Sequence, residues 1–305
     1  MAREEAGLTT TEVRVLTDVR IQFYRTLLSQ RRVNLSHDLI KINQQAVESA
    51  KRLWDAKEGP RVDYIRARIE LDRIRMATDV AQAELSAAWR ELSMVVGSPR
   101  LERRTLDGAL QQTPPELDFH QSADRLIQAS PLVAAARADL ERAAWAIRRA
   151  EAENIPDLQT GLEIKQDTAN DNTVVTVEAG FNLPLWNKNQ GRIQQTYALH
   201  AEASARVQQL ELRLRQQLAG EFQRYDAARA RVHRFAREIL PGAATTVELA
   251  EAGLVAGELA YLDLLTARRT LFQANLDHID ALQELWTSAQ RIEGMLLEGS
   301  LTTLP

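Results

Sequence analysis

Apolar residues recur at mixed three- and four-residue spacing from Thr11 to Lys57: Val15, Val19, Phe23, Leu27, Leu28, Leu35, Leu39, Ile42, Ala46, Ala50 and Leu53. No proline interrupts them. The spacing predicts one amphipathic helix of about 45 residues, roughly 70 Å long. Gly59-Pro60 ends it. A second helix is predicted from Val62 to Val96, stopped by Gly97-Ser98-Pro99 with glycine before proline. Helices this long and unbroken predict a coiled-coil-like hairpin rather than a compact bundle.

Residues 98–129 are mixed, with Thr113-Pro114-Pro115 as a turn and a short helical stretch over Ala123–Ala129. Ser130-Pro131 then supplies an N-cap and a proline at the first helical position. The helix it opens is expected to reach Asn154, before Pro156.

Here the period changes from helical to alternating. Leu158, Thr160, Leu162 and Ile164 share one face, against Gln159, Gly161, Glu163 and Lys165. Val175, Val177, Ala179, Phe181 and Leu183 alternate in the same way after a polar turn at 167–172. This predicts a β-hairpin with one apolar face. Each arm has roughly the 9–11 residues that a tilted strand needs to cross a bilayer, although alternation alone fits a small soluble hairpin as well. An isolated hairpin is scarcely stable, so its edges are expected to be satisfied by other chains. The helical period returns from Gln190 to Leu240, with an interruption or kink expected at Pro241-Gly242. A break at Gly257 precedes a last helix, from Tyr261 to Leu297.

Composition agrees with a helical chain: Ala, Leu, Arg, Glu and Gln dominate, and aromatic residues make up only 5%. The net charge of −4, with both signs interspersed, lacks the basic footprint of nucleic-acid binding. Without cysteine, disulfides and Cys-based metal sites are excluded. No continuous apolar run suggests a membrane helix, and Met1-Ala2-Arg3-Glu4-Glu5 lacks the apolar core of a signal peptide. His37, His120, His200, His233 and His278 are scattered, and no pair has helical i, i+4 spacing, so no metal site is expected from them. No phosphate loop, paired catalytic carboxylates or nucleophile motif appears, so neither an enzyme nor a cofactor is expected.

A shift of 200 residues aligns the two ends of the chain. Val62-Asp63-Tyr64-Ile65-Arg66-Ala67-Arg68 falls on Leu262-Asp263-Leu264-Leu265-Thr266-Ala267-Arg268, Val47 on Val247, and Glu84-Leu85 on Glu284-Leu285. The shared Asp-x-Ile/Leu-x-Ala-Arg after a glycine-containing turn reads as an internal duplication. Counterparts of residues 130–210 would then lie ahead of residue 10, so the chain reads as an N-terminally truncated protomer.

Long helix, strand hairpin and long helix in duplicate resemble the TolC family of outer-membrane efflux proteins. Ser130-Pro131-Leu132 through Ile155-Pro156-Asp157-Leu158 resembles the helix leading into the second strand hairpin. Leu183-Pro184-Leu185-Trp186-Asn187-Lys188-Asn189-Gln190-Gly191 resembles the exit from it. Glu251-Ala252-Gly253-Leu254-Val255-Ala256-Gly257, followed by Leu262-Asp263-Leu264-Leu265, resembles the periplasmic-tip turn. The Asn-x-Asn-Gln-Gly wording is most similar to the cobalt–zinc–cadmium resistance branch, which is associated with heavy-metal efflux.

The resemblance implies a mainly α fold of long antiparallel hairpins, with one β-hairpin contributed to a trimeric transmembrane barrel. It implies a homotrimer in the outer membrane and periplasm of a Gram-negative bacterium, a periplasmic adaptor (membrane fusion) protein and an inner-membrane RND-type pump. The chain carries one strand hairpin where the family pattern has two, which puts a closed barrel in doubt. Segments follow from it: a first helical hairpin at 1–97, an equatorial connector at 98–129 and a feeder helix at 130–156. Barrel strands at 157–184, a second helical hairpin at 185–297 and a tail at 298–305 complete the chain.

Candidate sites fall in two places. At the tip, Asp63, Arg66, Glu258 and Asp263 would constrict the aperture, with Gly59, Pro60, Gly253 and Gly257 forming the adaptor-docking turns. The bland reading is that aspartate in a first helical turn answers the macrodipole and glycine only punctuates. On the strand hairpin, Leu158, Leu162, Ile164, Val175, Val177 and Phe181 would face outer-membrane lipid, with Trp186 near an interfacial girdle; ordinary core packing is the rival. The functional expectation is a passive export conduit, possible cargo being divalent metal cations. The competing classes are a soluble helical scaffold or a non-functional gene fragment.

Overall fold

The computed structural model describes residues 2–108, 116–155, 157–167, 172–181 and 188–302. Its elements are α1 (Ala2–Asp55), α2 (Arg61–Val95), α3 (Phe119–Ala129), α4 (Pro131–Ala152), β1 (Leu158–Asp167) and β2 (Asn172–Phe181). They continue with α5 (Gln190–Arg234), a π turn (Phe235–Ile239), α6 (Leu240–Ala256) and α7 (Tyr261–Glu293). The turn expected at 113–115, residues 168–171 of the turn expected at 167–172, and residues 183–187 of the exit motif at 183–191 lie outside the described residues.

The chain divides into two compact units. One comprises residues 1–8 and 128–213: α4, the β-hairpin and the first part of α5. Here Arg137 holds Glu211 at 2.9 Å, and Asn189 donates to the Ala150 carbonyl at 3.1 Å. Ser130 takes the N-cap position of α4, but its buried hydroxyl makes no hydrogen bond, so Pro131 alone defines that start.

The other unit comprises residues 9–127 and 214–305. Its core draws on both ends of the chain: Leu27, Leu28, Leu71 and Leu85 are buried, as are Leu218, Tyr225, Leu285 and Ile292. Alanines intersperse them at Ala67, Ala81, Ala228, Ala281 and Ala289. Small residues let long helices approach closely, while each buried leucine contributes about 1.5–3 kcal/mol of transfer free energy.

The boundaries differ from the sequence expectation in physically readable ways. Helix α1 begins nine residues before Thr11, because the run from Ala2 is rich in helix formers and places Glu4 and Glu5 in the first turn. Helix α7 stops at Glu293, not Leu297. A Cβ at Gly294 would sit 2.1 Å from the Thr17 hydroxyl oxygen, and Met295 and Leu296 turn left-handed. Only glycine permits that approach to α1. No break occurs at Pro241-Gly242; the helical path runs through it, and the π turn just before accommodates the proline's missing N–H. By length and composition alone the helix Gln190–Ala256 is apolar enough to cross a membrane, although none of it is a continuous apolar run of that length. Its stretch from 239 to 256 carries only Glu248 and Glu251 as charged residues.

The duplication is visible position by position. In α2 and α7 the buried pairs Ala67/Ala267, Ile74/Ala274, Ala81/Ala281, Leu85/Leu285 and Leu92/Ile292 all keep the offset of 200. Ala50/Ala250 keep it on the preceding helices. Ahead of the π turn the offset becomes 199: Val33 matches Val232, Thr26 matches Tyr225, Phe23 matches Phe222 and Val19 matches Leu218. The π turn therefore holds one residue that the first repeat lacks.

Ion pairs follow the same two offsets. Arg32 meets Glu84 at 3.8 Å, and its counterpart Arg231 pairs with Glu284. Gln22 donates to Glu91 at 3.1 Å, while at the matching positions Glu221 lies 3.8 Å from Arg291. That contact keeps its place and changes its charges.

Candidate functional site: two helix turns and a strand hairpin

The turns after α1 and α6 close bond for bond. Glu58 N–H reaches the Leu53 carbonyl at 2.9 Å, and Glu258 N–H reaches Gly253 at 2.8 Å. Gly59 N–H also reaches Leu53, as Leu259 N–H reaches Gly253, both at 3.1 Å. These six-to-one and seven-to-one bonds satisfy a carbonyl that each helix end leaves orphaned. The residue that turns the chain is Lys57 (φ 61°) in one copy and Gly257 (φ 75°) in the other. A lysine there carries a left-handed strain of about 1–2 kcal/mol, which glycine escapes.

Packing inside each turn is filled from opposite sides. In the first, Leu53 supplies the side chain and Gly59 leaves room, a Cβ at Gly59 lying 3.1 Å from Leu53 Cβ. In the second, Leu259 supplies it and a Cβ at Gly253 would come within 2.7 Å of that leucine. One leucine fits, and two do not.

Next come the paired aspartates, and here the copies separate. Asp263 accepts the Ala260 N–H at 3.0 Å, capping its own helix. Asp63 has no such donor, because residue 60 is Pro60. It stands 3.8 Å from Arg66, as a partly exposed surface pair. Exposed pairs of this kind contribute about 0–1 kcal/mol. Glu258 is exposed.

The start of α7 lies close to that of α2. Tyr261 is partly buried and its hydroxyl finds no hydrogen-bond partner. Burial raises its pKa, Arg268 opposes the rise and the Asp63 charge adds to it. Eight residues farther along, Arg269 grips Glu70 through two guanidinium nitrogens, with Arg73 at 3.8 Å from the same carboxylate. That hydrogen bond raises the Arg269 pKa further. Arg268 meanwhile ties α7 to α6 through Glu251 at 2.6 Å. Between α2 and α7 runs a groove of about 200 Å³ lined by Arg66, Ile69, Leu262 and Arg269.

Sequence reasoning found the aspartates and turns but missed Tyr261, Glu70 and the Arg268–Glu251 tie. Arg269 falls opposite Ile69 and Glu70 opposite Thr270 in the duplicated register, so no repeat signal marks that cross-helix pair.

In the strand hairpin, Leu158 faces Phe181, Leu162 faces Val177 and Ile164 faces Val175. The apolar side chains thus form one ladder, and all six are exposed, Val177 by 76%. Among the described residues the sheet contains these two strands alone, leaving backbone donors and acceptors at both edges. Trp186 lies outside the described residues. Among them, also, no group of three His, Asp or Glu side chains is arranged to hold a metal ion. His278 is partly buried beside Phe235, with ring centres 6.0 Å apart. Burial, then Arg31, pushes its pKa down.

Comparison with known proteins adds a family to this geometry. A family profile described as "outer membrane efflux protein" matches residues 123–296. The chain is 28% identical over 302 residues to the cobalt-zinc-cadmium resistance protein CzcC of Cupriavidus metallidurans, covering 96% of this chain and 71% of that one. Its fold is similar to the crystal structure of CusC (TM-score 0.81, 17% identity, 97% of this chain and 71% of that one). It is similar also to the outer membrane protein VceC of Vibrio cholerae (TM-score 0.76, 16% identity, 98% and 73%).

Proposed function

The chain belongs to the outer membrane efflux protein family and is an outer-membrane channel component, and from that premise we propose how its parts serve export. The family is one of efflux channels rather than enzymes. The protein works as a homotrimer that joins a periplasmic adaptor (membrane fusion) protein and an inner-membrane RND-type pump. The duct itself is passive. Its cargo is divalent metal cations of the cobalt, zinc and cadmium kind, a reading supported by the similarity to CzcC along nearly the whole chain.

One observation carries the placement of function within the molecule: the apolar ladder Leu158–Phe181, Leu162–Val177, Ile164–Val175 stands exposed on a two-stranded sheet with both edges open. Such a face is stable against lipid, and such edges are stable only when paired with further strands. The ladder therefore faces the bilayer, and 157–184 supplies barrel strands. Residues 1–97 and 185–297 form the periplasmic hairpins, joined by the connector 98–129 and the feeder helix 130–156.

The two Asp-bearing turns are the tip. Asp63, Arg66, Glu258 and Asp263 form its constriction, and the Gly59-Pro60 and Gly253–Gly257 turns receive the adaptor. Asp63 is the stronger candidate of the two aspartates, since Pro60 leaves it uncommitted to a helix cap whereas Asp263 is engaged.

Single-channel recording in planar bilayers tests this reading. Asp63→Ala and Asp263→Ala are expected to raise resting conductance, with the larger rise for Asp63→Ala. Equal, wild-type conductance in both variants sinks the gate. In cells lacking their own duct, restored cadmium tolerance that depends on adaptor and pump is the expected phenotype. Tolerance that persists without either partner overturns the tripartite assignment.

A further inference from the structure

The stretch that follows α2 is pinned at two points. The Trp89 indole N–H donates to the Leu101 carbonyl at 3.3 Å, while the Gln30 amide donates to the Leu106 carbonyl and accepts the Leu106 N–H, each at 3.0 Å. Between the pins stand Glu102, Arg103, Arg104 and Thr105, all exposed. These bonds set the backbone from which Arg103 reaches α2, where its guanidinium donates to the Ser86 hydroxyl at 3.3 Å. Arg90, one turn beyond Ser86, donates through Nε to the Ser86 carbonyl at 3.1 Å. Two guanidiniums are thus gathered on one serine.

Among the described residues, neither Arg90 nor Arg103 has a carboxylate partner. The face of α2 around Ser86 carries Gln82, Ala83 and Ala87. The acidic side chains of α2 on either side are held by α1: Glu84 stands 3.8 Å from Arg32, and Glu91 2.8 Å from Arg25. Glu102 stands 3.5 Å from Arg104. Like charges held close repel, and each of the two arginines spends a single N–H on Ser86 while keeping its others open. Open guanidinium forks without a counter-charge are completed by an anion. Ser86 and Arg90 fall on Trp286 and Gln290 at the offset of 200, so the arrangement occurs in one repeat and not the other.

We propose that Arg90 and Arg103, brought together on Ser86, form a phosphate site. Two uncompensated positive charges call for a dianion: a phosphate monoester carries about −1.5 to −2 at neutral pH, against a single charge on a carboxylate. Phosphate also presents several acceptor oxygens to paired guanidinium forks, a geometry that arginine matches and lysine does not. The ligand class is free phosphate or a phosphate monoester. The proposal rests on α2 and the stretch after it and not on the export reading, so either can fail alone.

Titration of the purified full chain with inorganic phosphate at constant ionic strength, followed by phosphorus nuclear magnetic resonance, tests the site. A saturable change is expected, about tenfold weaker in Arg90→Gln and in Arg103→Gln. It should be unchanged in Arg137→Gln, whose guanidinium is engaged by Glu211. Arg103→Lys keeps the charge without the fork and should recover only part of the binding. Both arginines of the site are exposed, so an unchanged far-ultraviolet circular dichroism spectrum is expected in every variant. Glucose phosphate in place of inorganic phosphate separates the two sources: tighter binding assigns the site to an esterified phosphate, equal or weaker binding to the free ion. Acetate, with its single charge, should bind more weakly than either. Three results overturn the proposal. The signal fails to saturate; or saturation survives Arg103→Gln, which makes the effect diffuse screening. In the third, acetate binds as well as phosphate, which removes the charge match.

Discussion

The turn at residues 53–63 and the turn at 253–263 share the backbone bonds that close them and almost none of the chemistry around them. The first is aromatic and charged: Trp54 stacks on Tyr64 with ring centres 5.5 Å apart, and Arg61 lies over the indole at 5.5 Å. The second is aliphatic: Leu254 and Leu264 occupy the same positions and pack with Val247, Ala250 and Ala267. Backbone closure evidently sets the loop, and side chains then diverged around it. Pro60 made the sharpest difference, by removing one N–H and so releasing one carboxylate.

The largest test of that comparison exchanges the packing solutions. Gly253→Leu forces two leucines into a space built for one, and a loss of about 2–3 kcal/mol in unfolding free energy is expected. Adding Leu259→Gly recreates the Leu53/Gly59 arrangement and should recover most of the loss. A denaturant titration in which the double variant is no better than the single one would falsify the equivalence of the turns.

A smaller effect is expected at the left-handed residue. Gly257→Lys makes the second turn resemble the first and should cost about 1 kcal/mol, whereas Lys57→Gly should gain a similar amount less glycine's entropy penalty. Thermal melts showing the same sign for both exchanges would contradict the φ argument.

Next in size is an effect confined to the second repeat. His278 has a lowered pKa in the fold, so the folded state resists its protonation. Its contribution is complete above the ordinary histidine value of about 6.5 and is lost as pH falls from there towards the folded pKa. Melting temperature should therefore drop over that window, and His278→Gln should flatten the dependence. An unchanged slope in the variant assigns the acid response elsewhere.

Smallest of all are the exposed ion pairs. Glu284→Gln breaks the contact with Arg231 and Glu84→Gln its first-repeat counterpart; each should cost under about 1 kcal/mol and less in high salt. Because Arg32 also reaches Asp280, losing Glu84 should matter less than losing Glu284.

Much of this architecture was legible in the sequence, because long helices advertise themselves through uninterrupted periodicity and the hairpin through strict alternation. The Asp63/Asp263 register was legible too, since the offset needs only a few matched residues beside a glycine turn. What escaped were features decided by contacts between distant segments. The stop of α7 at Glu293 depends on Thr17, and the grip of Arg269 on Glu70 spans nearly two hundred positions. Pro241-Gly242 misled for a different reason: the local rule was sound, but the adjustment sat a turn earlier. Nor does sequence alone show that Asp263 spends its carboxylate on its own cap while Asp63 cannot.

The surplus residue in the π turn has a further consequence. One extra residue in a regular helix would swing every following side chain through about 100°, emptying one face into solvent and pushing another inward. Folding it into a wide turn cancels that rotation, so Phe222 and Phe23 still look the same way although one helix is longer. Long hairpins of this kind can then change size only by certain steps. A single residue can be concealed in a wide turn, or a whole seven-residue heptad can be added openly. Lengthening by other amounts would have to rewrite the face of the entire helix at once.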